Sequence, residues 1–153
     1  MREPSNLKMY VLSLCAGAIY PFGFAPFSWW PLSLMSVGLI FAVWQRLSAK
    51  NSGRAQLWST LLYGLSTFGV GVSWVYVSMV NFGNMSPPLA VIAVFLFALI
   101  LTVFYLGLVW VYARLAPYAS RKHQLIFILP VLWVLFEWLR SVVLTGFPWL
   151  QLG

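Results

Sequence analysis

The sequence contains no aspartate, two glutamates, one histidine and one cysteine in 153 residues. Each shortage removes a class of chemistry. A lone Cys15 permits no intrachain disulfide and no thiolate cluster. Glu3 and Glu137 are the only carboxylates, so neither a carboxylate dyad nor a dedicated metal site can be assembled. Without aspartate, and with His123 as the one imidazole, Ser-His-Asp catalysis is excluded. Charge is scarce as well, at 7% of residues, where a soluble domain has roughly 25%.

What fills the sequence is apolar: 62% hydrophobic residues and a mean hydropathy of +0.90. Apolar runs long enough for a bilayer recur along the chain, which predicts one all-α polytopic membrane domain over 1–153. The expected spans are 7–22, 30–44, 57–80, 89–112 and 124–144. Pro130 is expected to disturb the start of the last one. Arg2 and Lys8 precede the first run as in a secretory signal, and Leu12-Ser13-Leu14-Cys15 partly matches a lipoprotein cleavage box. Leu14 is not the small residue such a box requires, and more apolar runs follow, so the first helix is read as retained.

The net charge of +7 does not indicate nucleic acid, because the cations sit in short clusters between apolar runs, where they report orientation. Arg2, Lys8, Arg46, Lys50, Arg54, Arg114, Arg121 and Lys122 all fall on one side if the N-terminus is cytoplasmic. The segments 21–31, 81–88 and 145–153 then face outward without any charge. Five spans put the C-terminus on the outer side. The outer segments share Gly, Pro, Phe and Trp. They suit either a plain aromatic belt or a collar for lipid acyl chains and the glycerol region.

Thr60, Gly64, Thr67 and Gly71 share one helix face at 4-3-4 spacing. Small residues so placed form a helix-packing seam, with a substrate groove as the sharper alternative. Glu137 and Arg140 lie at i, i+3, with Arg140 roughly 24 Å up the fifth span and Glu137 a turn deeper. An isolated charge at that depth costs at least ~2.5–3.5 kcal/mol, so pairing is expected. The pair serves either to hold backbone groups exposed at Gly146 and Pro148 or to present Arg140 to a lipid phosphate. Trp149, beside Pro148, is either an interfacial anchor or a gate for lipid. Cys15 sits mid-helix, where a thiolate would be desolvated, and His123 is read as a solvated loop residue.

Three blocks carry a family resemblance. They are Phe24-Ala25-Pro26-Phe27 with Trp30-Pro31; Trp74-Val75-Tyr76-Val77-Ser78 with Phe82-Gly83-Asn84-Met85; and Glu137-Trp138-Leu139-Arg140 with Thr145-Gly146-Phe147-Pro148-Trp149-Leu150-Gln151-Leu152-Gly153. In this order they resemble the bacterial apolipoprotein N-acyltransferases over essentially the whole sequence. The resemblance implies location in the bacterial inner membrane. It implies acyl transfer from a phospholipid donor to the N-terminal diacylglyceryl-cysteine of an apolipoprotein. It implies no cofactor. In that family a Glu-Lys-Cys site in a nitrilase-like periplasmic domain does the chemistry. Neither Cys15 nor Glu137 matches that site, so no catalytic residue is carried over, and these residues alone are expected to be inactive. Trp149 matches a family tryptophan near the lipid substrate, with Gly146, Phe147 and Pro148 beside it as lipid-side candidates. The competing reading is a truncated paralogue serving as a non-enzymatic membrane module that binds lipid or a partner. A small transporter or channel is disfavoured because the spans carry few polar groups.

Overall fold

The computed structural model describes residues 6–143 and 146–152. Arg2 and Glu3, the expected end of the fifth span at Leu144, and the motif residues Thr145 and Gly153 lie outside the described residues. Every regular element within them is helical. The helices are α1 Asn6–Ile19, α2 Trp30–Ala49, α3 Gly53–Gly71, α4 Trp74–Asn81, α5 Pro87–Leu115 and α6 Arg121–Val142.

The boundaries follow from local chemistry. α1 gives way to a 3-10 turn over Tyr20–Gly23, where Pro21 supplies no N–H to continue the helix. α5 begins on Pro87 and Pro88, which fit the first helical positions because those N–H groups have no intrahelical partner. α2 runs on to Ala49, past its expected end, since Leu47 is buried and favours continuing the helix. The irregularity expected near Pro130 takes the form of a π turn over Gln124–Ile128, just before a proline that cannot donate to Ile126.

The third expected span, 57–80, is not one continuous helix. It is two helices, α3 and α4, bent by 49° across Val72 and Ser73. Gly69, Val70, Gly71 and Val72 are weak helix formers, and the Ser73 hydroxyl donates to the Val70 carbonyl at 2.8 Å. Where five spans are expected, three helices among the described residues are long and apolar enough to cross a membrane, or four if the bent pair makes one crossing. α1 has 14 residues, about 21 Å of helix against a hydrocarbon core of ~30 Å.

α3 is central, packed between α1 and α5, and α6 lies against α5 with its Trp133 reaching Tyr63 of α3 and Phe41 of α2. The approach is close because glycines face it. A Cβ on Gly17 would meet the Tyr63 carbonyl and Ser66 of α3, and one on Gly64 would meet Thr102 of α5. Thr60, Gly64 and Thr67 are buried on this helix, and Gly71 is half-buried. Two of the hydroxyls bond to the preceding turn, Thr60 to the Gln56 carbonyl at 2.8 Å and Thr102 to that of Ala98 at 2.7 Å. A ring cluster fills the centre. Tyr105 stacks on Trp133 at 5.0 Å and on Phe68 at 5.3 Å, and Tyr63 meets Trp133 edge-on at 6.3 Å. α5 exposes Val91, Ile92, Phe95, Ile100 and Val103, an apolar surface suited to lipid.

Candidate functional site

The site forms where the chain leaves α6 and folds back. Gly146 makes the turn at φ +79°, its N–H donating to the Val143 carbonyl at 3.0 Å. A side chain there would meet the Ser141 carbonyl, so both conformation and space call for glycine. Residues 147–152 then return as a strap across the end of the bundle.

Arg140 holds the strap. It is 1% exposed, and its guanidinium donates to three backbone carbonyls: Phe147 at 3.2 Å, Trp149 at 2.6 Å and Leu150 at 3.0 Å. Its own carbonyl accepts the Phe147 N–H at 3.0 Å. Bonds from a cation are stronger than neutral ones, and a guanidinium fork suits several acceptors at once. The group lies over the Phe68 ring, 5.2 Å from its centroid.

Glu137 holds the same strap from a turn below. Its carboxylate accepts the Leu152 N–H at 3.2 and 3.3 Å and the Tyr20 hydroxyl at 3.1 Å. Its backbone carbonyl accepts from Gln151 at 2.8 Å. The Tyr20 hydroxyl is also 3.3 Å from the Leu150 carbonyl, so its one proton serves two acceptors. Spacing along the helix anticipates a direct Glu137–Arg140 ion pair. Among the described residues no such pair forms within 4.0 Å. Both side chains bond to the strap and are linked through it, Glu137 holding Tyr20 as well.

The remaining candidates divide. Leu150, at φ +57° and 5% exposed, drops its side chain onto the bare face of Gly71. Phe147 packs edge-on against Phe97 of α5 at 5.0 Å. Trp149 is half exposed, its ring 5.9 Å from that of Trp74. Pro148 is exposed, away from this packing. Beneath Trp149 lies a cavity of about 270 Å³ whose walls include Pro21, Phe27, Gly71, Ser73, Trp74 and Leu150. On the other side of Ser73 an almost wholly apolar groove of about 340 Å³ runs between α3–α4 and α5, past Leu65, Tyr76, Val94 and Phe95. The α3–α4 bend therefore sits between two apolar hollows, with Trp149 over one of them. His123 lies at the opposite end, beside Ser120, and Cys15 is exposed on α1.

Tyr20, Leu150 and Trp74 were not foreseen as site residues. Tyr20 had a signal: a buried carboxylate needs donors, and Tyr20 is a phenol beside a helix-ending proline. Leu150 had none, since its role depends on Gly71 far away in sequence. Among the described residues, no group of three His, Cys, Asp or Glu side chains is placed to hold a metal ion.

A helical module with membrane-length apolar helices, tied at one end by a buried arginine and glutamate, is the class defined by this fold and site. The chain belongs to the family described as the apolipoprotein N-acyltransferase N-terminal domain, whose sequence profile matches residues 16–153. It is 44% identical to an apolipoprotein N-acyltransferase of Coxiella burnetii over 94% of this chain and 29% of the relative. The protein of that name from Vibrio cholerae is 43% identical, over 90% of this chain and 26% of the relative. The one from Haemophilus ducreyi is 40% identical, over 99% and 28%. The chain thus spans little more than a quarter of the length of these relatives.

Proposed function

We propose that these residues form the membrane-embedded part of an apolipoprotein N-acyltransferase of the bacterial inner membrane. In this reading they hold the phospholipid acyl donor, and in turn the diacylglyceryl apolipoprotein, beside a catalytic domain outside the 153 residues. The observation that carries it is the pair of apolar hollows flanking Ser73, with Trp149 over one of them. An acyl chain needs such a surface, and the arginine-held strap fixes the tryptophan above it. We further propose five crossings, the short α1 and the bent α3–α4 pair each making one. The N-terminus is then cytoplasmic and the strap periplasmic. The support is the charge pattern: Lys8, Arg46, Arg54, Arg114, Arg121 and Lys122 cluster at helix ends away from the strap.

Trp149→Ala in the complete enzyme tests the reading. Apolipoprotein N-acylation should fall about tenfold, the weight of one well-seated aromatic contact, while membrane insertion stays normal. Acylation at the wild-type rate would remove Trp149 from the substrate path. Loss of the protein from the membrane would make it an anchor instead.

A further inference from the structure

At the end of the bundle opposite the strap, we propose a second lipid site, which binds the phosphate of an anionic phospholipid. A cavity of about 430 Å³ opens there between the α2–α3 and α5–α6 connections. Gln45, Asn51, Ser52, Gln56, Arg121 and Gln124 contribute to its lining. The glutamines build the walls and are already committed. Gln124 is buried; its amide donates to the carbonyls of Ala116 at 2.8 Å and Ala119 at 3.0 Å, and it accepts from Tyr112 at 2.8 Å. Gln56, also buried, donates to the Trp44 carbonyl at 3.2 Å. Gln45 donates to the Arg121 carbonyl at 2.7 Å, fixing the backbone of the one cation in the lining.

The guanidinium of Arg121 is the uncommitted group. It has no hydrogen bond and no carboxylate partner among the described residues. Arg46, Arg54, Arg114 and Lys122 lie at the same end of the helices, and Glu137, the only carboxylate among the described residues, lies at the other. The cavity therefore sits in an uncompensated positive field, which favours an anion. A guanidinium fork matches phosphate oxygens in particular. Ser52 makes no side-chain cap on the 19-residue α3, so the first N–H groups of that helix add a weak positive pole at the rim.

The neighbours favour a lipid over a soluble anion. Ile126 and Phe127, a few residues beyond Arg121 on α6, are exposed and apolar, and acyl chains would run along them. Trp110 is exposed at the end of α5, with the Arg114 guanidinium 4.6 Å over its ring, as at a membrane interface. Basic pockets between membrane helices on one leaflet side recognise anionic headgroups in this way.

The test uses the intact protein in phosphatidylcholine nanodiscs with graded phosphatidylglycerol, counting phosphatidylglycerol retained through detergent exchange by native mass spectrometry. Arg121→Gln should weaken retention about fivefold, the weight of one cation at a membrane surface. Arg121→Lys should fall between that and wild type, keeping the charge without the fork. Lys122→Gln removes the same charge from a neighbour outside the lining and should retain lipid as wild type does. Equal losses in the Arg121→Gln and Lys122→Gln variants would show diffuse attraction and overturn the site, as would undiminished retention by Arg121→Gln. Displacement of the lipid by an equal concentration of inorganic phosphate would assign the cavity to a free anion and overturn the lipid. The leaflet is cytoplasmic only under the proposed orientation. Retention in nanodiscs does not depend on that, so a wrong orientation and an absent site give different results.

Discussion

Arg140→Met should free residues 147–152 from the end of the bundle and cost about 3–5 kcal/mol of stability, the range for breaking a buried charge network by removing one member. The Phe147 and Trp149 carbonyls lose their donor, Leu150 keeps only the shared Tyr20 hydroxyl, and Glu137 is left buried without a cation nearby. Methionine fills similar space, so the loss reports bonding more than packing. The measurement is denaturant unfolding in micelles. It is paired with maleimide labelling of a cysteine placed at Leu150 in a Cys15→Ala background. Labelling at position 150 should rise steeply in the Arg140→Met variant. Slow labelling with unchanged stability would mean that Phe147 and the Glu137 contacts hold the strap without the arginine. Glu137→Gln separates charge from hydrogen bonding. Its amide oxygen still accepts from Tyr20 or Leu152, so it should cost less than Glu137→Ala.

The second large effect is expected from one carbon atom. Gly17→Ala should destabilise by about 1–3 kcal/mol, because the new Cβ meets the Tyr63 backbone carbonyl, which cannot turn aside as a side chain can. α1 would have to move off α3, carrying Tyr20 away from Glu137. A thermal melt shows the loss, and Gly38→Ala supplies the control: with nothing within 4 Å of its Cβ, it should be neutral or gain a few tenths of a kcal/mol through helix propensity. Equal behaviour of the two variants would show that α1 and α3 are not in close contact.

Much of this molecule is legible without its structure. The apolar runs mark the helices, and the lone charges Glu137 and Arg140 mark themselves by their cost in such surroundings. The family blocks were recognisable as well. The break at Val72–Ser73 was less so. The run 57–80 stays apolar throughout, and hydropathy averages over a bend that weak helix formers allow but do not require. Gly17 did carry a signal, since Ser13 stands four residues before it, the spacing of Thr60 to Gly64. What that spacing does not show is that its neighbour across the seam is main chain.

The strap shows where the division falls. That Arg140 must find acceptors, and that the Gly-Phe-Pro-Trp segment leaves the helix, follow from the sequence, since both depend on local composition and the cost of charge in an apolar medium. That the acceptors are the carbonyls of Phe147, Trp149 and Leu150, that Glu137 answers to Tyr20 and Leu152, and that Leu150 lies on Gly71 were decided by the tertiary structure alone. The hydrophobic preference of a segment is a sum over its own residues. A buried polar group is satisfied only by a particular donor or acceptor brought to hydrogen-bond distance, here across as many as 130 residues of chain between Tyr20 and Leu150.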